Sequence, residues 1–415
     1  MKKIRNSLLF VSGVLFLSSC STSTAGSDVT TVTLWYWNRS LSDEVIKEVE
    51  SEFPGVTINA QKIGGDEYKT KLHTSLIAES GPDIVAMNDW VFEYLPYEEE
   101  FVNLYDYGAA EVEDDYLDWK WNLAEAPESN ALIALPIDTG PTVLYYRADL
   151  FEEAGLPSEP EEVAEKIQSW DDYIEAGRQL KEELDVYMFD NLERTYLQYL
   201  EQQSDKYFTE EEEFIGDGGT VRDAWDNAMK VHEESMTARI NDGERNAALS
   251  NGSIASFIGA VWEAGILKDA AADTAGNWRV THAPGGAGNN GGSFLGVLQS
   301  SEHKELAAEI TMRLVSKEAQ ERHYLDVDLF PSTIETIEST ELAEPDPFFG
   351  DQVVMDVFAS AATEVPSTYY GELYMPVREF FNEELALVER ANKDPEQAWQ
   401  DAQTKVQREL SRHSN

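Results

Sequence analysis

Val29-Thr30-Thr31-Val32-Thr33-Leu34-Trp35-Tyr36-Trp37 alternates threonine with apolar residues, which predicts a first strand. Ser42–Phe53 follows with Val45, Val49 and Phe53 four apart, the spacing of one helix face, and Pro54-Gly55 stops it. Val56-Thr57-Ile58-Asn59-Ala60 predicts a second strand. Asp66–Ser80 predicts a second helix, with Tyr68, Leu72, Leu76 and Ile77 on one side and Gly81-Pro82 at its end. Asp83-Ile84-Val85-Ala86-Met87 is a short buried strand. Strand, helix, strand, helix, strand implies an α/β fold, a parallel sheet with helices on its faces.

Farther along, Ala131–Ile137 and Thr142–Arg147 predict strands around the turn Asp138-Thr139-Gly140-Pro141. Ser169-Trp170-Asp171-Asp172 opens a helix with a capping-box pattern, and Thr220-Val221-Arg222-Asp223 is expected to open another in the same way. Ile254–Ile258, Trp278–Ala283 and Phe294–Leu298 are further strand candidates, and Glu305–Val315 is an amphipathic helix. Asp394-Pro395 starts a last helix, with Asp at the cap and Pro in the first turn. Trp119 and Trp121, among Asp114, Asp115 and Asp118, read as a plain helix face rather than a cleft rim. No internal repeat is present.

The chain has 415 residues, too many for one compact domain, and 42% of them are hydrophobic, enough for a large core. With 31 basic against 79 acidic residues the net charge is −48. Such a surface repels phosphate backbones and anionic lipid, so nucleic acid and polybasic membrane contact are excluded as partners. The single cysteine rules out an internal disulfide and a cysteine zinc cage, and six histidines leave little for a metal.

That cysteine is placed informatively. Lys2, Lys3 and Arg5 form a basic start, and Leu8–Leu17 is mostly apolar but too short to span a bilayer. Leu17-Ser18-Ser19-Cys20 resembles a bacterial lipobox, which implies a signal peptide over 1–19 and lipidation of Cys20. Residues 20–27 then read as a polar, flexible tether. The expected location is the extracytoplasmic face of a cell membrane, held there by lipid.

Signatures of catalysis fail in turn. There is no G-x-S-x-G elbow, no HExxH and no P-loop lysine. Asp326-Val327-Asp328 begins like a calcium loop, but Pro331 stands where glycine is needed. Gly286-Ala287-Gly288-Asn289-Asn290-Gly291 matches the dinucleotide fingerprint literally, yet Phe294–Leu298 after it is strand-like, not the helix whose amides would hold a pyrophosphate. No cofactor is expected. A glycosidase with an Asp/Glu pair stays open, since 79 acids supply candidates anywhere.

Several segments, in order, resemble the extracellular solute-binding proteins that serve ABC-type sugar importers. Glu79-Ser80-Gly81-Pro82-Asp83-Ile84-Val85 is similar to that family's turn into a strand. Leu135 to Pro157, with Leu144-Tyr145-Tyr146-Arg147-Ala148-Asp149-Leu150-Phe151 and Ala154-Gly155-Leu156, is the strongest match, with Arg147 where the family usually has Asn. Ser169–Asp172, Gly252 through Trp262, Pro284 to Ser293 and Ser301 to Gln320 resemble its later motifs, though Ser256 and Ala260 depart from the family's methionine and glycine. The resemblance implies a periplasmic-binding-protein-like fold of class II: two α/β lobes, hinge strands and a ligand cleft between. Lobe one would be 28–138 with 287–331, and lobe two 142–283 with 334–415. It further implies a carbohydrate ligand, ABC permease subunits as partners, and a monomer.

A sugar presents hydroxyls at its rim and C–H groups on its face, so its site needs flat aromatic surfaces beside planar polar groups. In open α/β sheets the ligand lies beyond the carboxyl ends of strands. That rule selects Trp37 and Asn38 after the first strand, Asp89 and Trp90 after the third, and Asp138 after Ala131–Ile137. A tryptophan at a strand end also packs under helices, Asp89 also suits a helix cap, and Asp138 also suits a hinge brace. The resemblance adds Trp262 as a stacking residue, with Glu263 beside it, and Tyr370 on a loop closing over the sugar. Gly292 and Ser293 offer backbone N–H groups at close approach.

Overall fold

The computed structural model describes residues 29–413, so the expected signal peptide, Cys20 and the whole tether lie outside the described residues. Among the described residues eight strands are formed: β1 (Thr30–Tyr36), β2 (Val56–Lys62), β3 (Ile84–Met87), β4 (Ala134–Pro136), β5 (Thr142–Arg147), β6 (Ser256–Ala260), β7 (Trp278–His282) and β8 (Phe294–Val297). They make two sheets, one ordered β2-β1-β3-β8-β4 and the other β6-β5-β7.

The opening segment folds as its periodicity predicts. Val32, Leu34 and Tyr36 are buried on one face of β1, and the Ser42 hydroxyl accepts from the N–H groups of Glu44 and Val45 to start helix Asp43–Glu52. β1 runs parallel to both β2 and β3. The expectation of a parallel sheet fails beyond that point. β8 enters from the other sheet and runs antiparallel to β3 and β4, and the second sheet is antiparallel throughout. β8 reaches this sheet directly from β7 of the other one, not through the helical crossover that links parallel neighbours.

One other expectation changes. Helix Gly219–Glu233 begins after Gly218 with no side-chain cap, so Thr220 lies inside it rather than opening it. Trp119 and Trp121 lie on the short helix Asp118–Trp121, with both rings buried: the Trp119 indole N–H donates to the Ala362 carbonyl at 2.9 Å, and Trp121 packs 5.1 Å from Tyr116. The Ser169–Asp172 capping box is present and starts helix Trp170–Leu184, and Asp394 caps helix Pro395–His413 through the Gln397 N–H at 2.9 Å.

Two connections pass between the sheets, β4 to β5 through 137–141 and β7 to β8 through 283–293, and a third segment, 330–333, lies beside them; hydrogen bonds join all three. Ile137 N–H donates to Ser293 O at 2.8 Å, Thr139 N–H to Phe330 O at 2.8 Å, and Asn290 N–H to Gly140 O at 2.8 Å. Buried Gln320 secures segment 330–333, its Oε1 accepting from the Ser332 and Thr333 N–H groups while its Nε2 donates to Pro136 O. Two glycines permit the close approach. A Cβ on Gly140 would enter the Asn290 carbonyl, and one on Gly292, where φ is +88°, would lie 2.6 Å from Asp138 O.

Candidate functional site

A chamber of about 400 Å³ lies where the two sheets' elements face each other across these crossings. One wall is the short turn-rich helix Asp89–Glu100 that leaves the end of β3, contributing Asp89, Trp90 and Phe92. The floor is the crossing itself, through Thr142, Asn289 and Asn290. The opposite wall is built by helices Leu192–Glu201 and Tyr374–Ala391, which present Asn191, Arg194, Gln198, Glu201, Tyr374 and Arg378.

Asp89 and Arg378 face this space from opposite walls. Burial pushes the Asp89 carboxyl above its usual range, and the charges of Arg378 and Lys120 pull it back. Neither Asp89 nor Arg378 is hydrogen-bonded to another side chain among the described residues. Glu201 is the reverse case. Burial opposes its charge, but Lys206 and the Tyr374 hydroxyl, the latter at 2.6 Å, bond to it, and the net effect holds it below the usual carboxylate range. The fixed charges along the walls are matched in number: Asp89, Glu193 and Glu201 against Arg194, Arg378 and Arg390.

Of the residues expected from sequence, Asp89, Trp90 and Tyr370 line the chamber. Trp37 stands behind Trp90, its ring 6.5 Å away and edge-on to Tyr68 at 5.0 Å, while Asn38 is exposed on the adjoining turn. Trp262 leans on the floor, its indole N–H donating to Asn290 O at 2.8 Å. Asp138, Gly292 and Ser293 are turned inward and engage one another. The Ser293 N–H donates to Asp138 Oδ1 at 2.7 Å, and Gly292 leaves room for the Lys120 ammonium. Burial raises Asp138 and lowers Lys120, each offset by the other's charge, and neither residue lines the chamber. Glu263 is likewise closed off, 1% exposed, with its carboxylate bonded to Arg194 and Arg245.

The description of bacterial extracellular solute-binding proteins matches residues 37–321. The chain belongs to that family. Among curated relatives, the lactose-binding protein of Rhizobium radiobacter is 26% identical over 379 residues, covering 85% of this chain and 86% of its own. The arabinooligosaccharide-binding protein of Halalkalibacterium halodurans is 23% identical over 403 residues, covering 89% and 84%. A solved extracellular solute-binding protein of family 1 superposes with a TM-score of 0.86 at 29% identity, over 91% of this chain and 99% of that one. The sugar-binding protein MalE of Xanthomonas citri shares the two-lobed fold, with a TM-score of 0.77 over 93% and 98%, at 19% identity.

For a member of this solute-binding family, the strand-end rule found one wall of the cleft and missed the other. Asn191, Arg194, Gln198 and Arg378 sit on helices, where no strand end points to them. One signal was available for Arg378. It falls four residues after Tyr374, next to Val377 and three before Phe381, so a guanidinium interrupts an otherwise buried helix face.

Proposed function

We propose that this chain captures a carbohydrate in the chamber between its lobes and presents it, unaltered, to an ABC-type importer. The pairing of Asp89 and Arg378 across the chamber carries the reading. A ring hydroxyl both donates and accepts, so adjacent hydroxyls of one sugar satisfy a carboxylate from one lobe and a guanidinium from the other. A ligand that touches both lobes only when they are closed shifts the population toward closure. The matched wall charges, in a chain of net −48, favour an uncharged ligand over an ionic one. Trp90 and Tyr370 supply flat apolar faces for its C–H surface. The lactose- and arabinooligosaccharide-binding relatives point to the same ligand class.

The lobes in this reading are 28–138 with 287–331 and 142–283 with 334–415. Cys20 carries a lipid that keeps the protein, as a monomer, at the outer face of the membrane beside its permease. The reaction is binding and release, and it uses no cofactor. A glycosidase is not favoured, because the family consists of binding proteins. The test is thermal unfolding across a panel of mono- and oligosaccharides, since a ligand bound by the native state alone raises the midpoint by mass action. At least one saccharide is expected to do so. A shift produced only by amino acids or peptides would contradict the carbohydrate assignment.

A further inference from the structure

The chamber does not end in solvent on every side. Beyond Phe92 and Tyr370 lies a second cavity, also about 400 Å³, bounded by Leu95, Leu123 and Pro127 on the first lobe's side and by Tyr369 and Gly371 on the other. Phe92 and Tyr370 line both cavities. Their rings lie nearly parallel, 7° apart in plane and 4.6 Å between centroids. Phe92 comes from the helix that follows β3, whereas Tyr370 comes from the strap before helix Tyr374–Ala391, so the stack bridges the cleft.

The tyrosine half of this stack is held in place. Its hydroxyl donates to Glu201 Oε2 and accepts from Lys206 Nζ, both at 3.2 Å. Tyr374 packs edge-on against both rings, 4.6 Å from Tyr370 and 5.6 Å from Phe92, and its own hydroxyl bonds Glu201. The strap is fastened from the far side as well, where the Tyr369 hydroxyl donates to Glu212 Oε1 at 2.5 Å.

We propose that Phe92 and Tyr370 form a partition that sets the length of saccharide the cleft retains, an inference that rests on reading the first chamber as the carbohydrate site. A short saccharide fills the first chamber and ends against the stacked rings. A longer one reaches the second cavity only by keeping the rings apart. Because one ring belongs to each side of the cleft, the wall is assembled on closure, so it selects at the closing step rather than at entry. Losing an aromatic stack of this kind lowers affinity roughly two- to tenfold, which is the discrimination the wall supplies.

The experiment is titration calorimetry of the wild-type protein with malto-, galacto- and arabino-oligosaccharides of increasing length, from two units upward. In the series that binds, affinity is expected to drop roughly two- to tenfold once the chain outgrows the first chamber. Phe92→Ala removes the wall from one side and Tyr370→Leu from the other, and either is expected to erase the drop. Tyr370→Phe keeps the ring and should keep the drop. Thermal unfolding identifies which variants fold, and either ring-removing variant suffices alone. The inference is overturned if wild type shows no length threshold, or if the threshold survives loss of either ring. If no series binds although a saccharide shifts the unfolding midpoint, this inference fails and the carbohydrate reading stands; if no saccharide of any length binds, both fail.

Discussion

Arg194 Nη2 donates to both carboxylate oxygens of Glu263, at 2.7 and 2.8 Å, and so ties helix Leu192–Glu201 to the turn that carries Trp262. Arg245 joins them, 2.8 Å from Glu263 Oε2 and 2.9 Å from Asp190 Oδ2. The Ala260 N–H also donates to Glu263 Oε1, at 3.2 Å. Glu263 therefore positions one wall of the chamber from behind. Replacing it by Ala leaves two guanidiniums short of a buried counter-ion. Denaturant unfolding is expected to show a loss of about 3–5 kcal/mol. A loss below about 1 kcal/mol would mean the network contributes little.

Asp89 and Arg378 line the chamber from opposite sides, and in the proposed reading both bond the ligand. Asp89→Asn and Arg378→Gln each remove a charge-assisted bond, worth about 1.5–3 kcal/mol, or roughly ten- to a hundredfold in affinity. Calorimetry with the saccharide found in the thermal panel checks this. Affinities within twofold of wild type would remove that residue from the site.

The contrast between Asp89 and Asp138 shows how far the sequence carries. Both are aspartates at the carboxyl end of a strand, and the strand-end rule selects both alike. One opens on the chamber, and the other accepts from the Ser293 N–H beside buried Lys120. What separates them is which crossing packs behind the strand, a contact between segments more than 150 residues apart that no local pattern encodes. The β1–β3 unit was legible because its alternation and helical spacing are local. The antiparallel arrival of β8 and the wall formed by helix Tyr374–Ala391 were not, because each depends on how the two sheets come together.

His323 gives the fold an acid-sensitive element. It is fully buried; its Nδ1 accepts from the Ser42 N–H at 3.1 Å and its Nε2 lies 3.1 Å from Leu314 O, so the ring sits neutral between them. Burial lowers its pKa to about 4. A depressed folded-state pKa means the unfolded chain takes up the proton first. The contribution is therefore complete above the ordinary histidine pKa of about 6.5 and is lost as pH falls toward 4, by about 3 kcal/mol. Denaturant unfolding at several pH values should show a shallower acid loss for His323→Gln than for wild type. Equal slopes would contradict the assignment.

Gly292 tests the packing of the crossing. Its φ of +88° is unfavourable for any side chain, and a Cβ there would lie 2.6 Å from Asp138 O and 2.7 Å from Lys120 Nζ. Gly292→Ala is expected to cost about 1–3 kcal/mol, read as a lower unfolding midpoint. Gly276→Ala, at φ +87° with open space around it, isolates the backbone strain, and the excess at Gly292 measures the crowding. Equal losses at the two positions would show that the crossing is loosely packed.

Ligand-observed NMR of the saccharides of the thermal panel incubated with the protein probes capture and fate in one sample. Saturation transfer from the protein to at least one of these sugars is expected, reduced in Arg378→Gln, with the sugar's own spectrum unchanged over prolonged incubation. No transfer to any saccharide, or new anomeric signals from a cleaved product, would contradict a clamp that holds its sugar between two lobes and lets it go intact.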